Sequence, residues 1–439
     1  MRRFDWALLT LLFLGGQAWG QSAPPVVNVE NGTISETPAM ETDAFDSCGC
    51  SSGCCNLAHP WRPNRANGPT GCSTCDGGVC GPAGKFFFDL DYLFWRVNGD
   101  RLPPLVTTGP GALPPVATAG VLPAATVLFG NNVFNNDFRS GLRGNIGMWL
   151  NQSQTLGVQA GGFYVLDNTA TASFASDGST ILARPFTSVS LNAPSVPSSQ
   201  LISYPTVVSG GVNISERNTF SGADFAFRGN ACCGDNWRID ALVGYRYLRF
   251  TEQFQMNQRI VAGPNAPANI GVPVGTIVET YDRFDTGNEF QGAQIGFTGE
   301  YRFWQRFHVS GTAKASFGYV NQGVGIDGAT RFSTDTTNRV GGLLALNSNI
   351  GIYRNNDAAL VPELTFLCGY QANDNIRIKF GYNFMCLPNV QRPGNAIDLG
   401  IDRQRIPPPL APTVDRPIFN FRTEDLIVQG LTAGIEIRY

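Results

Sequence analysis

From residue 85 onward the chain alternates apolar and polar residues in long runs. A period of two is the signature of a β-strand with two unlike faces. In 287–303, Ala293, Ile295, Phe297, Tyr301 and Phe303 share one face, and Asn288, Gln294, Thr298, Glu300 and Arg302 share the other. In 236–250, Trp237, Ile239, Ala241, Val243, Tyr245 and Tyr247 oppose Arg238, Asp240, Gly244 and Arg246. Ten such segments stand out, at about 86–97, 138–150, 154–166, 219–228, 236–250, 287–303, 306–320, 360–371, 375–387 and 426–439. Many exceed the 5–6 residues usual for soluble strands, and they suit the roughly 9–11 residues that a tilted strand needs to cross a bilayer. A weak alternation over 339–353 leaves the strand count between 8 and 12.

The connections alternate between short (151–153, 229–235, 304–305, 372–374) and long (98–137, 167–218, 251–286, 321–359, 388–425). Outer-membrane barrels have tight periplasmic turns and large external loops. A soluble barrel with its apolar face inward is the competing reading. Aromatics near the segment ends (Phe86, Phe88, Tyr92, Tyr164, Tyr245, Tyr247, Tyr301, Phe303, Tyr319, Tyr382) decide against it, because membrane barrels carry aromatic girdles at both interfaces. The chain ends Gly430-Leu-Thr-Ala-Gly-Ile-Glu-Ile-Arg-Tyr439, with Leu431, Ala433, Ile435, Ile437 and Tyr439 on one face. A terminal aromatic with apolar residues at every second position resembles the closing strand that barrel-assembly machinery recognises. The fold class expected is therefore all-β, an antiparallel transmembrane β-barrel of about ten strands with a Cys-rich irregular N-terminal segment. Its surroundings would be outer-membrane lipid. A net charge of −3 and 15% charged residues exclude a basic nucleic-acid binder.

The N-terminus has the layout of a secretory signal. Arg2 and Arg3 precede an apolar run from Ala7 to Gly16, and Ala18-Trp19-Gly20 is a small-x-small site, so cleavage is expected after Gly20. The domains are then 1–20 signal, 21–84 Cys-rich periplasmic segment and 85–439 barrel. The middle part has no hydrophobic period and holds Cys48, Cys50, Cys54, Cys55, Cys72, Cys75 and Cys80. Exported cysteines usually pair. Zinc at Cys72 and Cys75 is a weaker reading, and the odd count allows a link to Cys232 or Cys233, to a second copy or to another envelope protein. Cys232 and Cys233 fall in the expected turn 229–235. Cys368 and Cys386 flank a hairpin whose partner numbers sum to about 745. This sets Cys368 against Arg377 and Cys386 against Ala359, about 30 Å apart along the strands and out of bonding range.

Phe88-Asp-Leu-Asp-Tyr-Leu-Phe-Trp95, Leu102-Pro-Pro-Leu-Val-Thr-Thr108, Val127-Leu-Phe-Gly130 and Arg139-Ser-Gly-Leu-Arg-Gly-Asn-Ile-Gly-Met-Trp149 together resemble the Putative beta barrel porin-7 family of planctomycete outer-membrane proteins. The resemblance covers 85–439 and implies a porin-like barrel. It implies no substrate, and it leaves out the Cys-rich segment.

The polar faces supply the charges expected to line the lumen: Asp89, Asp91, Arg139, Arg143, Arg238, Asp240, Arg246, Glu289, Glu300, Arg302, Lys314, Arg377, Lys379, Glu436 and Arg438. Two nearby carboxylates can do acid–base chemistry, but Asp89 and Asp91 face arginines from adjacent strands and read as wall charges. His59 and His308 are the only histidines, and neither stands beside a nucleophile. No catalytic residue, metal site or cofactor is expected. The loop 388–425, with Arg392, Asp398, Asp402, Arg403, Arg405, Asp415 and Arg416 between prolines, reads as a solvated external loop, with inward folding the weaker alternative. Two functions remain: a passive channel for small solutes, or a structural or adhesive envelope protein with a closed lumen.

Overall fold

A computed structural model describes residues 84–109, 113–234, 236–266, 272–304 and 306–439. The signal and Cys-rich segment expected in 1–84 lie, but for Gly84, outside the described residues. Ten strands form one ring: β1 (Phe86–Val97), β2 (Phe138–Trp149), β3 (Leu156–Ser176), β4 (Val208–Cys233), β5 (Trp237–Ala262), β6 (Ile277–Arg302), β7 (Phe307–Phe332), β8 (Gly351–Gln371), β9 (Ile376–Gln391) and β10 (Thr423–Arg438). Each pairs antiparallel with its neighbours, and β1 closes the ring on β10, with Phe87 opposite Arg438 and Val97 opposite Val428. Closure leaves no unpaired edge, as a barrel in lipid requires. The weak segment 339–353 adds no barrel pair; Arg339–Val340 forms a two-residue strand on β7, and β8 begins at Gly351.

The strands run well past the segments read from the sequence, up to 26 residues in β4 to β7. The cause is a reversal of polarity along each long strand. In the lower half of β5, near the short turns, Ile239, Val243 and Tyr245 face outward while Arg238, Asp240 and Arg246 are buried in the lumen. Beyond Tyr247 the faces exchange: Leu248, Phe250, Phe254 and Met256 are buried inside, and Arg249, Asn257 and Arg259 are exposed outside. β7 makes the same exchange, with Phe317 and Tyr319 outward below and Val320, Val324 and Ile326 inward above. A search for apolar outward faces stops at this changeover. The outward apolar stretch from Trp237 to Tyr247 spans eleven residues, ten steps along the strand. At ~3.4 Å each and a tilt of about 40°, it rises about 26 Å, matching the ~25 Å apolar band of outer-membrane barrels.

Two registers differ from expectation. β4 continues through Cys233 with a bulge between Asn230 and Cys232, so the turn beside the cysteine pair is shorter than 229–235. On β8 and β9, Cys368 pairs with Phe380 and Gln371 with Arg377, a sum of 748 rather than 745. Neither Cys368 nor Cys386 is disulfide-bonded.

Candidate functional site

The lumen has three storeys. The lowest is a closed set of ion pairs on inward-facing positions. Arg143 meets Asp91 at 2.9 Å, Arg246 meets both Asp224 and Glu363 at 2.9 Å, and Lys314 meets Asp224 at 3.1 Å. Asp240 takes Arg228 and Arg238, each at 2.7 Å. Arg377 bonds Glu300 at 2.8 Å, Lys379 pairs with Asp89, and Arg438 with Glu436. Arg302 ends the inward face of β6 beside this group, half-buried. In a narrow interior an unpaired charge is costly, so the charges occur in near-balance. They leave a polar cavity of about 160 Å³. His308 is buried on the inner face at the short-turn end.

One expected lumen residue lies outside, and one faces inward at a different level. Glu289 points outward and pairs with Arg249 at 3.5 Å. It is odd-numbered on a strand whose even positions face in, so the alternation itself places it outside. Arg139 faces inward but above the charged storey, bonding Asn218 and the Asn135 carbonyl. Asp224, Arg228 and Glu363 were missed, although the same parity would have found them.

The middle storey is apolar. Leu93, Trp95, Val97, Phe220, Leu248, Phe250, Phe290 and Val320 are each at most 1% exposed and pack across the lumen. Trp95, Phe163, Phe220 and Phe250 form a chain of rings with centroids 5.5, 5.0 and 6.1 Å apart. The Trp95 indole N–H donates to Thr432 at 3.2 Å, which fixes the largest ring in place.

The upper storey is built from the long connections, which fold into the barrel mouth. Val106–Thr108 pairs with Thr126–Phe129 and with Leu182–Ser190, which itself pairs with Ala193–Ser203 and, in parallel, with Gly400–Ile401. This internal sheet, with Leu343, Leu344 and Leu346 from the β7–β8 connection, shares one core with the upper walls of β4 to β7. The loop expected to be solvated, 388–425, therefore folds inward over 392–402, while 408–412, Arg403 and Asp415 stay exposed at its outer part. Ile401 is fully buried, and Ile397, Leu399, Ile406, Phe419 and Phe421 pack on the same core.

Two ionic anchors hold this plug. Arg392, fully buried, donates to both carboxylate oxygens of Glu252 at 2.9 and 2.5 Å, to the carbonyls of Asn98 and Gly99 at 3.0 and 2.9 Å, and to Glu424 at 3.2 Å. One guanidinium thus ties the first and last long loops to the wall. Burial works against its charge, but Glu252 and Asp100 outweigh it and hold its protonation above the ordinary range. Burial pushes the Asp100 carboxyl up against the pull of Arg392, while Asp100 accepts the Gly394 N–H at 2.7 Å. At the second anchor, one oxygen of Asp282 accepts the N–H groups of Leu343, Leu344 and Ala345 at 2.9, 2.8 and 2.8 Å, and the other pairs with Arg184 at 2.6 Å.

A ten-stranded closed ring, an outward apolar band and an ion-paired lower lumen define an outer-membrane β-barrel. The model of the Putative beta barrel porin-7 family matches residues 87–439, and the chain belongs to that family. No curated protein matches it. Among solved structures it is similar to the outer membrane protease OmpT from Escherichia coli, at 13% identity and a TM-score of 0.40, over 81% of this chain and 97% of that one. It is also similar to the P. putida toluene transporter TodX, at 9% identity and a TM-score of 0.22, over 82% and 91%. A third is the Ralstonia pickettii toluene transporter TbuX, at 9% identity and a TM-score of 0.18, over 81% and 90%.

Proposed function

We propose that this barrel is closed at rest and serves as a structural envelope protein that presents a folded loop cap at the cell surface. The observation that carries this reading is the apolar middle storey, where Trp95, Phe220, Phe250 and Phe290 fill the lumen with 1% exposure or less. Hydrated solutes do not cross a packed apolar layer without dehydration, and dehydration is expensive for polar groups. In planar bilayers the purified full chain should insert without steps of conductance. Steady open-channel steps in most insertions would overturn the reading. The passive channel is the second reading, favoured by the family's porin character and by the polar cavity below. It requires the plug to leave the mouth and the middle storey to part.

In this reading the short-turn end faces the periplasm, as in other outer-membrane barrels. The signal exports the chain, and barrel-assembly machinery takes up the β10 end, where Leu431, Ile435 and Tyr439 face outward. The chain uses no cofactor, metal or nucleic acid and catalyses no reaction. His308 bears only on catalysis by a histidine base: it is buried at the short-turn end, away from the surface loops. The Cys-rich segment is oxidised, with a bond from it reaching Cys233, the disulfide-bonded member of the adjacent pair, which lies at the same end of the barrel as Gly84. Non-reducing mass mapping should find a peptide of 229–235 linked to one from 48–80. Tail cysteines that are all free would exclude this.

A further inference from the structure

The outer wall of β3 to β7 continues past the apolar band as a water-facing surface, and it holds an open groove of about 990 Å³. That volume is at the upper end of the range for small-molecule sites. The floor is made of small outward residues, Ser173 and Ala175 of β3 and Gly211 of β4. A methyl group at Gly211 would meet the Phe174 carbonyl oxygen at 2.8 Å, so the floor stays low. Arg259, Tyr281 and Arg331 from β5, β6 and β7 border it. The Tyr281 hydroxyl donates to Asp327 at 2.7 Å, which fixes the ring on the outer face. Asn213 and Asn257 supply exposed amides that both donate and accept hydrogen bonds. Arg259 pairs with Glu279 at 3.7 Å, and the remaining formal charges of the lining, Arg331 and Asp177, offset each other, so the groove has no net formal charge.

We infer that this groove binds an uncharged stretch of oligosaccharide, supplied by the glycolipid surrounding the barrel in the outer leaflet. The groove's chemistry is that of a sugar site: a held aromatic ring, side-chain amides and hydroxyls, and little net charge. Its height identifies the source. Asn257 is ten residues beyond Tyr247, which marks the end of the apolar band; at ~3.4 Å per residue and a tilt of about 40°, it stands about 26 Å above that edge. Acyl chains and the phosphates at their head lie below that level, and the glycolipid's sugar chains surround the wall there. The inference rests on the orientation proposed above.

The test uses the full chain in lipid nanodiscs. One arm titrates oligosaccharide released from the outer-leaflet glycolipid and freed of its acyl part. A second arm compares discs with and without the intact glycolipid, following the temperature at which the barrel loses its folded gel mobility. Saturable binding of the released sugar is expected, about tenfold weaker in Tyr281→Ala and in Arg259→Ala and retained in Tyr281→Phe. Intact glycolipid should raise the unfolding temperature of the native chain more than that of Tyr281→Ala. Absence of saturable binding, or equal binding by correctly folded Tyr281→Ala and Arg259→Ala, overturns the inference. Binding of the released sugar without any effect of the intact glycolipid overturns the assigned source. A Ser173→Cys chain labelled on intact cells separates the two readings. No labelling means that the orientation is wrong; labelling without sugar binding means that the groove assignment alone is wrong.

Discussion

Arg392→Met should loosen the plug and open its loops to protease, while the barrel stays silent because the middle storey of strand side chains still fills the lumen. The substitution leaves Glu252 as a fully buried carboxylate with no cation, and it strips the Asn98 and Gly99 carbonyls of their donor. Breaking a buried pair from one side costs about 3–5 kcal/mol. The first and last long loops lose their shared tie to β5, so proteolysis within 98–137 and 392–422 should accelerate while the ten strands stay intact. Replacing both partners, Arg392→Met with Glu252→Leu, removes the stranded charge and should recover much of the loss. Single-channel recording and limited proteolysis of the two variants check this. A protease-resistant Arg392→Met chain would show that the apolar core alone keeps the plug in place, and steady conductance in it would show that the plug rather than the middle storey closes the lumen.

The second large effect is expected at Asp282. Asp282→Ala strands Arg184, which is 1% exposed, and leaves the amides of Leu343, Leu344 and Ala345 without an acceptor. A loss of about 3–5 kcal/mol follows from the ion pair alone, and unpaired buried amides add to it. Asp282→Asn keeps one oxygen for the amides and loses the charge opposite Arg184, so it should fall between. The readouts are the unfolding temperature and cleavage within 333–350. Equal behaviour of Asp282→Ala and the native chain would remove this anchor from the account of the plug.

The lower barrel was legible because its code is local. A period of two decides which side chain faces lipid, and the ring closure and the inward positions of Asp89, Asp91, Arg377 and Lys379 follow from it. The slip at Glu289 broke that rule rather than exposing a limit of it. The plug was not legible because its anchors are remote in sequence: Arg392 and Glu252 are 140 residues apart, and Arg184 and Asp282 are 98 apart. A loop rich in Arg, Asp and Pro resembles a solvated loop until its partners are known. Ile397, Leu399 and Ile401 do alternate with Asp398, Gly400 and Asp402, but the run is only three apolar positions long and its strand partner, Thr187 and Ser188, lies more than 200 residues away. The upper strands were missed for a different reason. They alternate as regularly as the lower ones, but with the sides exchanged.

That exchange means that one strand obeys two substitution rules. On β5, an outward Val243→Asn change puts an amide into hydrocarbon, while Gln253→Asn five turns of the pleat higher leaves a side chain in water. Inward, Leu248→Asn opens a packed core, although Asp240, on the same face lower down, already carries a charge. The changeover falls between Tyr247 and Arg249. A mutational scan scored by hydrophobicity alone would average the two halves to nothing; scored by height and face together, it would trace the level at which the surrounding medium changes from oil to water.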